Sequence, residues 1–157
     1  MLQNVCVQTP VGLIRIWASE SAITELSWEQ EQPVHVQACQ PKGILAAARD
    51  QLLAYFAGDL QEFDLPFEVS GSAYQKAVCA EIAAIPFGET RTYGDLARRI
   101  GSSAQAVGNA CGGNPIPILI PCHRVLGVSG LGGFSGQGGV ETKVALLRHE
   151  GAAGLLI

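Results

Sequence analysis

Apolar and polar residues alternate in three short runs near the start of the chain. The runs are centred on Val5 and Val7, on residues 13–16, and on the segment from Ile23 to Trp28. Alternation of this kind is typical of β-strands that bury one face. Pro, Gly and Ser residues separate the runs and indicate turns. The sequence therefore predicts three short strands joined by turns.

One helix is predicted to follow these strands. Apolar residues recur at helical spacing over residues 44–56, and Gly58 ends the pattern. The stretch before it, residues 29–41, is polar and rich in glutamine, and we predict a loop there. Residues 60–69 contain a proline and are predicted to form an extended linker.

The second half of the chain is predicted to be mostly helical. Ser72, Thr92 and Ser103 are suitable N-cap residues, and proline or glycine follows each apolar pattern. Three prolines within residues 115–121 exclude a helix there, and the glycine-rich stretch 127–139 is predicted to be a loop. The predicted helices cover residues 73–85, 93–100, 104–111 and 143–150.

These elements indicate an α+β fold with two lobes. Residues 1–69 form the strand-rich N-terminal lobe, and residues 70–157 form the mostly helical C-terminal lobe. Of the 157 residues, 48% are hydrophobic and 15% are charged, which is too apolar for a disordered chain. The longest apolar runs are too short to cross a bilayer, and the N-terminus has no secretory pattern. We therefore expect a cytoplasmic protein.

Cysteine usage and charge narrow the chemistry further. The five cysteines are unevenly spaced and include no CxxC pair, so a disulfide framework is not expected and a thiol is available as a nucleophile. Residues 1–70 hold 3 Lys/Arg and 9 Asp/Glu, a balance of −6, whereas residues 71–157 hold 7 and 5, a balance of +2. A mildly basic C-terminal lobe suits a phosphate-binding face, but it also suits many other enzymes.

Two short helices joined by residues 101–103 are arranged like a helix-turn-helix. In that motif the second helix enters a groove of DNA. Its candidate face carries only small side chains, at Ala104, Ala106, Gly108 and Ala110. Such a face approaches DNA closely but reads little sequence, so we expect sequence-tolerant binding. The same pattern also fits a plain helical hairpin in a core.

The sequence Pro-Cys-His-Arg at residues 121–124 is the sharper chemical signal. A thiol becomes a strong nucleophile only as a thiolate, and a neighbouring histidine or cation favours that form. If the segment is extended, Cys122 and His123 point to opposite sides, and a water molecule is needed to bridge them. Glu150 is a candidate to orient His123. A buried thiol beside an ordinary surface histidine explains the same pair.

Several ordered motifs resemble those of the O6-alkylguanine-DNA alkyltransferases. Pro-Cys-His-Arg-Val at residues 121–125 follows Asn-Pro-Ile-Pro-Ile-Leu-Ile. The resemblance extends over about residues 72–151 and is specific because the motifs occur in the family's order. It implies a ribonuclease-H-like N-terminal lobe and a C-terminal lobe with a helix-turn-helix. The other matching segments are residues 85–97, 106–108 and 146–151 and, more loosely, 9–12.

The resemblance implies that Cys122 accepts an alkyl group from DNA without a cofactor. Glu150, His123 and a water remove the thiol proton, Tyr93 serves the leaving oxygen, and Asn114 holds the active-site turn. The implied substrate is O6-alkylguanine, and by extension O4-alkylthymine, flipped out of double-stranded DNA. Because the thioether product is stable, each molecule acts once. The family acts as monomers, and no obligate protein partner is expected.

The resemblance also assigns residues that bind the base and the DNA. Carbonyls of Cys122 and Val125 accept hydrogen bonds from the guanine amine, and Ser135 faces O6. Lys143 has an alternative structural role in the last helix, and Arg124 has one in bracing the lobes. The assigned base-binding residues are Val125, Phe134, Ser135 and Lys143, and the assigned DNA contacts are Thr92, Ala104, Gln105, Ala106, Gly108 and Arg124.

Some positions depart from the family pattern. Gln105 replaces an arginine that fills the space left by the flipped base, so we expect weaker binding or slower flipping. Phe134 replaces a tyrosine and keeps its ring. Some relatives bind zinc in the first lobe, but that spacing is absent from Cys6, Cys39 and His35, and we predict no metal.

Three other classes of function are considered from the sequence. A non-catalytic alkyltransferase-like protein binds the lesion and recruits other factors, but members of that group replace the acceptor cysteine. A Cys-His hydrolase needs an oxyanion site and many turnovers, and it leaves the helix-turn-helix unexplained. A purely structural helix-turn-helix regulator gives no reason for Cys122, His123 and Glu150 to occur together.

Overall fold

A computed structural model describes residues 2–29, 42–134 and 138–152 of the chain. The chain divides into two compact units, Met1–Glu68 and Val69–Ile157. The predicted loop at residues 29–41 lies almost wholly outside the described residues.

The first unit is built on a three-stranded antiparallel sheet. Its strands are β1 (Gln3–Thr9), β2 (Gly12–Ala18) and β3 (Ile23–Glu29), in the order β1-β2-β3. A tight turn joins β1 to β2, in which the Thr9 hydroxyl donates to the carbonyl of Gly12 at 2.7 Å. The three strands predicted from the sequence are confirmed. Buried residues alternate along β2 and at the end of β1, whereas β3 buries Ile23 and Leu26 without strict alternation.

A helix, α1 (Ile44–Phe56), packs on this sheet and completes the first core. It has the bounds that the apolar spacing predicts. Its buried side chains include Leu52 and Tyr55, and the sheet contributes Ile14 and Ile16. The predicted linker is extended but is also paired: the N–H of Ile23 donates to the carbonyl of Pro66, and the N–H of Glu68 donates to the carbonyl of Ile23.

The second unit has four α-helices and one short parallel strand pair in its described part. The strands are β4 and β5, which hold residues 91–92 next to residues 125–126. A strand pair of two residues carries no readable sequence pattern, and it was not predicted. The elements are α2 (Ala73–Ala83), β4 (Arg91–Thr92), α3 (Tyr93–Ile100), α4 (Ala104–Gly112), β5 (Val125–Leu126) and α5 (Val140–Glu150).

The helix caps of this unit follow the predictions from the sequence. Ser72, Thr92 and Ser103 each accept a hydrogen bond from the backbone N–H three residues later. Thr92 also forms a reciprocal capping box with Asp95. Gly101 ends α3 in the left-handed conformation with φ of 69°. The pair α3 and α4 thus has the short turn of a helix-turn-helix.

Three local predictions were inaccurate. Residues 122–124 form a turn of 3-10 helix and not an extended strand, so consecutive side chains do not simply alternate sides. Helix α5 begins at Val140, three residues before its predicted start, because its N-cap is Gly139 and offers no side-chain signal. Helix α2 ends at Ala83 and not at Ile85. None of the helices in the described ranges combines the length and apolar character that a bilayer crossing requires.

Candidate active site

Asn114 organises the backbone that leads to Cys122. Its side-chain amide donates to the carbonyl of Ile120 at 2.9 Å, and its side-chain oxygen accepts from the N–H of Ile116 at 3.0 Å. The segment between these two bonds contains Ile118, whose φ of 71° is unusual for a β-branched residue. The buried asparagine therefore replaces the backbone partners that an irregular segment lacks.

The Cys122 thiol lies in the wall of a cavity of about 260 Å³. Its side chain is nearly buried, and burial raises its pKa to about 11, although a hydrogen bond from Asn114 and the charge of Lys143 act in the opposite direction. The thiol is therefore protonated at neutral pH and needs a base. The cavity is lined by Tyr93, Gly108, Cys111, Gly112, Cys122, Gly133 and Phe134.

His123 and Glu150 form a fully buried pair beside this thiol. The Nε2 atom of His123 lies 2.7 Å from Oε2 of Glu150. Burial raises the pKa of Glu150, but hydrogen bonds from His123 and Arg124 outweigh it and lower the pKa to about 2. Burial lowers the pKa of His123 from its usual value, against the effect of Glu150. The pair is thus a neutral imidazole that donates from Nε2 to a carboxylate.

The other ring nitrogen of His123 is left as a bare acceptor. Among the described residues, Nδ1 is the buried side-chain nitrogen or oxygen that has no hydrogen-bond partner. Buried polar atoms rarely stay unpaired, and an unpaired one is often found where chemistry takes place. With Nε2 protonated by its bond to Glu150, Nδ1 is free to take up a proton.

Arg124 is buried in the structure and is turned toward Glu150. Its Nε donates to Oε1 of Glu150 at 2.8 Å, its Nη2 donates to Oε2 at 3.0 Å, and its Nη1 donates to the carbonyl of Ile85 at 2.6 Å. The Phe87 ring lies 5.9 Å from the guanidinium carbon. The guanidinium is enclosed and already bonded, which favours the structural alternative for Arg124, and its assignment as a DNA contact stays a prediction.

Lys143 is also fully buried and binds two backbone carbonyls. Its Nζ donates to Val125 at 2.6 Å and to Gly133 at 3.1 Å, and it lies 5.8 Å from the centre of the Tyr93 ring. Burial lowers its pKa below the usual value. The carbonyl of Val125 thus already has one donor and keeps one lone pair for another. Lys143 lies behind the cavity wall and supports it.

Tyr93, the first residue of α3, directs its hydroxyl at the glycine-rich loop. The backbone N–H of Gly133 donates to this hydroxyl, and burial raises the pKa of the phenol. A Cβ atom on Gly132, which has φ of 72°, would lie 2.6 Å from the hydroxyl oxygen. The loop backbone therefore approaches the tyrosine more closely than any residue with a side chain permits. Because the hydroxyl accepts from the loop, its own proton is available to a ligand.

Cys111 is a further cavity residue, to which no role was assigned from the sequence. It is nearly buried and lines the same space as Cys122, and burial raises its pKa to about 12. The position of Cys111 in helix α4 did not by itself indicate that it lines the cavity, because the cavity is formed by segments far apart in sequence. Gly108 and Gly112 of the same helix also line the cavity.

The second helix of the helix-turn-helix exposes its start and buries its other face. Ala104 and Gln105 are exposed, Ala106 is half-buried, and Val107 is in the core. Gly108 is half-buried and lines the cavity, and its predicted role in DNA contact stays a prediction. Serine at the N-cap and the absence of acidic residues in the first turn leave the positive helix end open to a phosphate.

The structure brings most of the predicted catalytic and base-binding residues to one place. Tyr93, Cys122 and Phe134 line the cavity, whereas His123, the next residue after the thiol, and Glu150 are buried and do not line it. Thr92 serves as the cap of α3. Ser135 lies outside the described residues, so its assigned role stays a prediction.

No group of three or more His, Cys, Asp or Glu side chains is arranged to hold a metal within the described ranges. Of the three residues considered for zinc, Cys39 and His35 lie outside those ranges. The expected absence of a metal therefore stays a prediction.

Comparison with known proteins gives matches over nearly the whole chain. The ribonuclease-like domain of 6-O-methylguanine DNA methyltransferase matches residues 5–69, and its DNA binding domain matches residues 73–152. The methylated-DNA–protein-cysteine methyltransferase of Mycobacterium tuberculosis is 40% identical over 155 residues, which cover 96% of this chain and 93% of that one. The constitutive protein of that name from Bacillus subtilis is 40% identical over 152 residues, 91% of this chain and 92% of that one.

Solved structures agree with these matches. A crystal structure of Mycobacterium tuberculosis OGT in complex with DNA is 41% identical, has a TM-score of 0.82, and covers 94% of this chain and 92% of that one. An archaeal O6-methylguanine-DNA methyltransferase from Pyrococcus kodakaraensis, at 24% identity and a TM-score of 0.70 over 97% of this chain and 100% of that one, shares the fold.

Fold and motif together define a class of protein in which a ribonuclease-like unit precedes a helix-turn-helix unit that carries Pro-Cys-His-Arg. The chain belongs to the 6-O-methylguanine DNA methyltransferase family. The family and the α+β fold predicted from the sequence motifs are thereby confirmed.

Proposed function

We propose that this chain repairs alkylated DNA by moving the alkyl group from O6 of guanine to the Sγ atom of Cys122. The observation that supports this most strongly is the position of the thiol. It lies in a cavity wall beside a buried histidine whose Nδ1 has no partner among the described residues. Names of relatives, which include methylated-DNA–protein-cysteine methyltransferase, agree with this activity.

The proton of the thiol leaves through His123. The pKa of Cys122 is about 11, so spontaneous ionisation is rare at neutral pH. A water molecule between the sulfur and Nδ1 of His123 carries the proton to the ring, and Glu150 stabilises the imidazolium that forms through its 2.7 Å contact. The thiolate then attacks the alkyl carbon, the C–O6 bond breaks, and its electron pair stays with guanine.

The leaving guanine needs a proton or a hydrogen bond, which Tyr93 donates. Its hydroxyl accepts from Gly133 and keeps its own hydrogen for the base. The cavity of about 260 Å³ is smaller than the roughly 300–1,000 Å³ of pockets for drug-sized ligands, and so suits one flat base. A base in a duplex reaches it only after flipping out, at a cost of a few kcal/mol.

DNA binds across α3 and α4 in this proposal. The open end of α4 meets a phosphate, and the exposed, small residues Ala104 and Ala106 allow close approach to a groove. Gln105 is exposed at the start of the same helix and enters the space left by the flipped base. Binding is therefore tolerant of sequence around the lesion.

The stable thioether limits each molecule to one reaction. We include O4-alkylthymine as a second substrate, because its alkylated oxygen presents the same electrophilic carbon. We also propose that the protein acts as a monomer in the cytoplasm, and that residues 70–157 carry the chemistry while residues 1–69 form a separate supporting domain.

A transfer assay with a matched pair of cysteine variants tests the proposal. Duplex DNA that carries a radiolabelled methyl group on O6 of guanine is incubated with wild type, Cys122→Ser and Cys111→Ser, and intact protein is analysed by mass spectrometry. Wild type and Cys111→Ser gain one methyl group per molecule, and Cys122→Ser gains none. Both cysteines line the cavity, so the pair separates reactivity from location.

Other outcomes of this assay contradict the proposal. Tight binding of the lesion with no label on wild-type protein identifies a non-catalytic lesion-binding protein. Release of product beyond one equivalent identifies a hydrolase. Label on the Cys122→Ser protein shows that another residue is the acceptor.

A further inference from the structure

Arg124 is a buried charged side chain whose guanidinium is fully used in hydrogen bonds. Its guanidinium uses all three nitrogens, two on the two oxygens of Glu150 and one on the carbonyl of Ile85, at 2.6 to 3.0 Å. The side chain is 6% exposed, and the guanidinium lies over the Phe87 ring. A buried arginine with this geometry is held in one orientation, because each bond removes a rotational freedom.

This arrangement determines what Glu150 is able to do. Oε1 accepts from Arg124, and Oε2 accepts from both Arg124 and His123. A carboxylate so fully occupied by donors is a weak base. It is suited to orient the imidazole and to stabilise its positive charge, and it is unsuited to take the proton from the imidazole.

We propose that Arg124 is a positioning residue for the transfer reaction: it fixes Glu150 as a permanent anion, so that the proton from Cys122 stops on His123. This inference rests on the proposed function, because it concerns the proton path at the same thiol. Arg124 touches neither substrate nor sulfur and acts through Glu150. The hydrogen bond from Arg124 to the carbonyl of Ile85 connects Arg124 and Glu150 to the segment that follows α2.

The inference has a signature in pH dependence. The charged groups that influence the pKa of His123 are Glu150 and Lys143 on α5 and Arg124 beside it in the 3-10 turn. His149 of α5 lies against the Phe87 ring on the far side of the arginine. The positive charge of Arg124 lowers the pKa of His123. Loss of that charge therefore raises it.

The sign of the expected shift follows from this. His123 accepts a proton only while its ring is neutral, so the reaction slows as pH falls through the pKa of the ring. This fall in rate at low pH is the acid limb of the pH-rate profile. In Arg124→Gln the acid limb moves to higher pH. The maximal rate also falls by about tenfold or more, because the carboxylate that orients the base is released. Arg124→Lys keeps the charge and loses the two-pronged contact, so its acid limb stays near that of wild type while its maximal rate falls.

The experiment measures the single-turnover rate of Cys122 benzylation by O6-benzylguanine between pH 5 and pH 9. Because this substrate is a free base, DNA binding does not affect the measured rate. The variants are Arg124→Gln, Arg124→Lys and the matched control Arg148→Gln, which removes an exposed arginine from α5. Rates are normalised to the folded fraction measured by circular dichroism. The control leaves both the acid limb and the maximal rate unchanged.

Two results overturn the inference. One is an acid limb for Arg124→Gln that coincides with wild type, and the other is an equal shift in Arg148→Gln, which makes the effect one of general charge. If Arg124→Gln does not fold, an acid limb for Arg124→Lys that moves as far as one pH unit also overturns it. If wild type itself does not react, the proposed function is contradicted. That outcome is distinct from the variant results that contradict only this inference.

Discussion

The ammonium group of Lys143 lies 3.1 Å from the carbonyl oxygen of Gly133 and fastens the glycine-rich loop to helix α5. The peptide of Gly133 is held from both sides, because its N–H donates to the Tyr93 hydroxyl. A loop with so many glycines has high conformational entropy when free, so these two bonds decide where the cavity wall lies.

Replacement of Lys143 by methionine is expected to slow alkylation of Cys122 by about 10- to 100-fold, because the loop loses its anchor and the tyrosine loses its fixed partner. Intact-protein mass spectrometry with O6-benzylguanine over time gives the rate. Lys76→Met, which removes an exposed lysine from α2, is the control and reacts like wild type. Equal rates for the two variants count against a positioning role for Lys143.

Gly132 and Gly133 offer a matched pair for the contact between the loop and Tyr93. Gly132→Ala places a Cβ atom 2.6 Å from the tyrosine hydroxyl oxygen, at a positive φ that disfavours alanine, whereas Gly133→Ala meets no atom within 4 Å. We expect the first variant to lose at least tenfold in rate and the second to stay within about threefold of wild type. The same benzylation assay measures both. Similar rates in the two variants contradict the close approach seen here.

Acid should weaken the fold through Glu150. Its pKa is lowered from 4.5 to about 2 in the folded chain, so the stability it contributes is present above pH 4.5 and is lost as pH falls toward 2. The amount is on the order of 3 kcal/mol. Urea unfolding at pH 7, 4 and 3 measures it. Glu150→Gln is less stable at pH 7 and shows a flatter dependence; a parallel dependence in wild type and variant refutes this origin.

Gln105→Arg is expected to tighten binding to duplex DNA. A charged donor in a hydrogen bond is worth about 1 kcal/mol more than a neutral one, which is roughly a fivefold lower Kd. Fluorescence anisotropy with a duplex that contains O6-methylguanine, on a Cys122→Ser background, measures it. Asn109→Arg adds the same charge at an exposed site of the same helix and controls for simple attraction. Weaker or unchanged binding by Gln105→Arg contradicts its assignment.

Local signals in the sequence predicted much of this structure. Ser72, Thr92 and Ser103 were recognisable as caps because their hydrogen bonds reach only three residues along the chain. Apolar spacing gave the bounds of α1 for the same reason. The family motifs identified the thiol and its histidine, which neither periodicity nor composition distinguishes from buried packing.

Contacts between distant segments explain what the sequence did not reveal. The carbonyl of Ile85, which Arg124 binds, is 39 residues away along the chain, and a backbone group leaves no trace in residue type. The sequence likewise left Lys143 between a base-binding and a structural role, because its two carbonyl partners are backbone groups. Cys111 meets Cys122 in one cavity only after α4 and the 3-10 turn have packed.

Tyr93 occupies the first position of α3, directly after the capping box formed by Thr92 and Asp95. The residue that places its hydroxyl at the cavity is therefore part of α3, the first helix of the helix-turn-helix. A small translation or tilt of α3 on a duplex moves the Tyr93 phenol with it. Under the proposed function, binding of the duplex and alignment of the Tyr93 hydroxyl therefore depend on the same helix, and a poorly bound duplex meets a proton donor that is out of alignment.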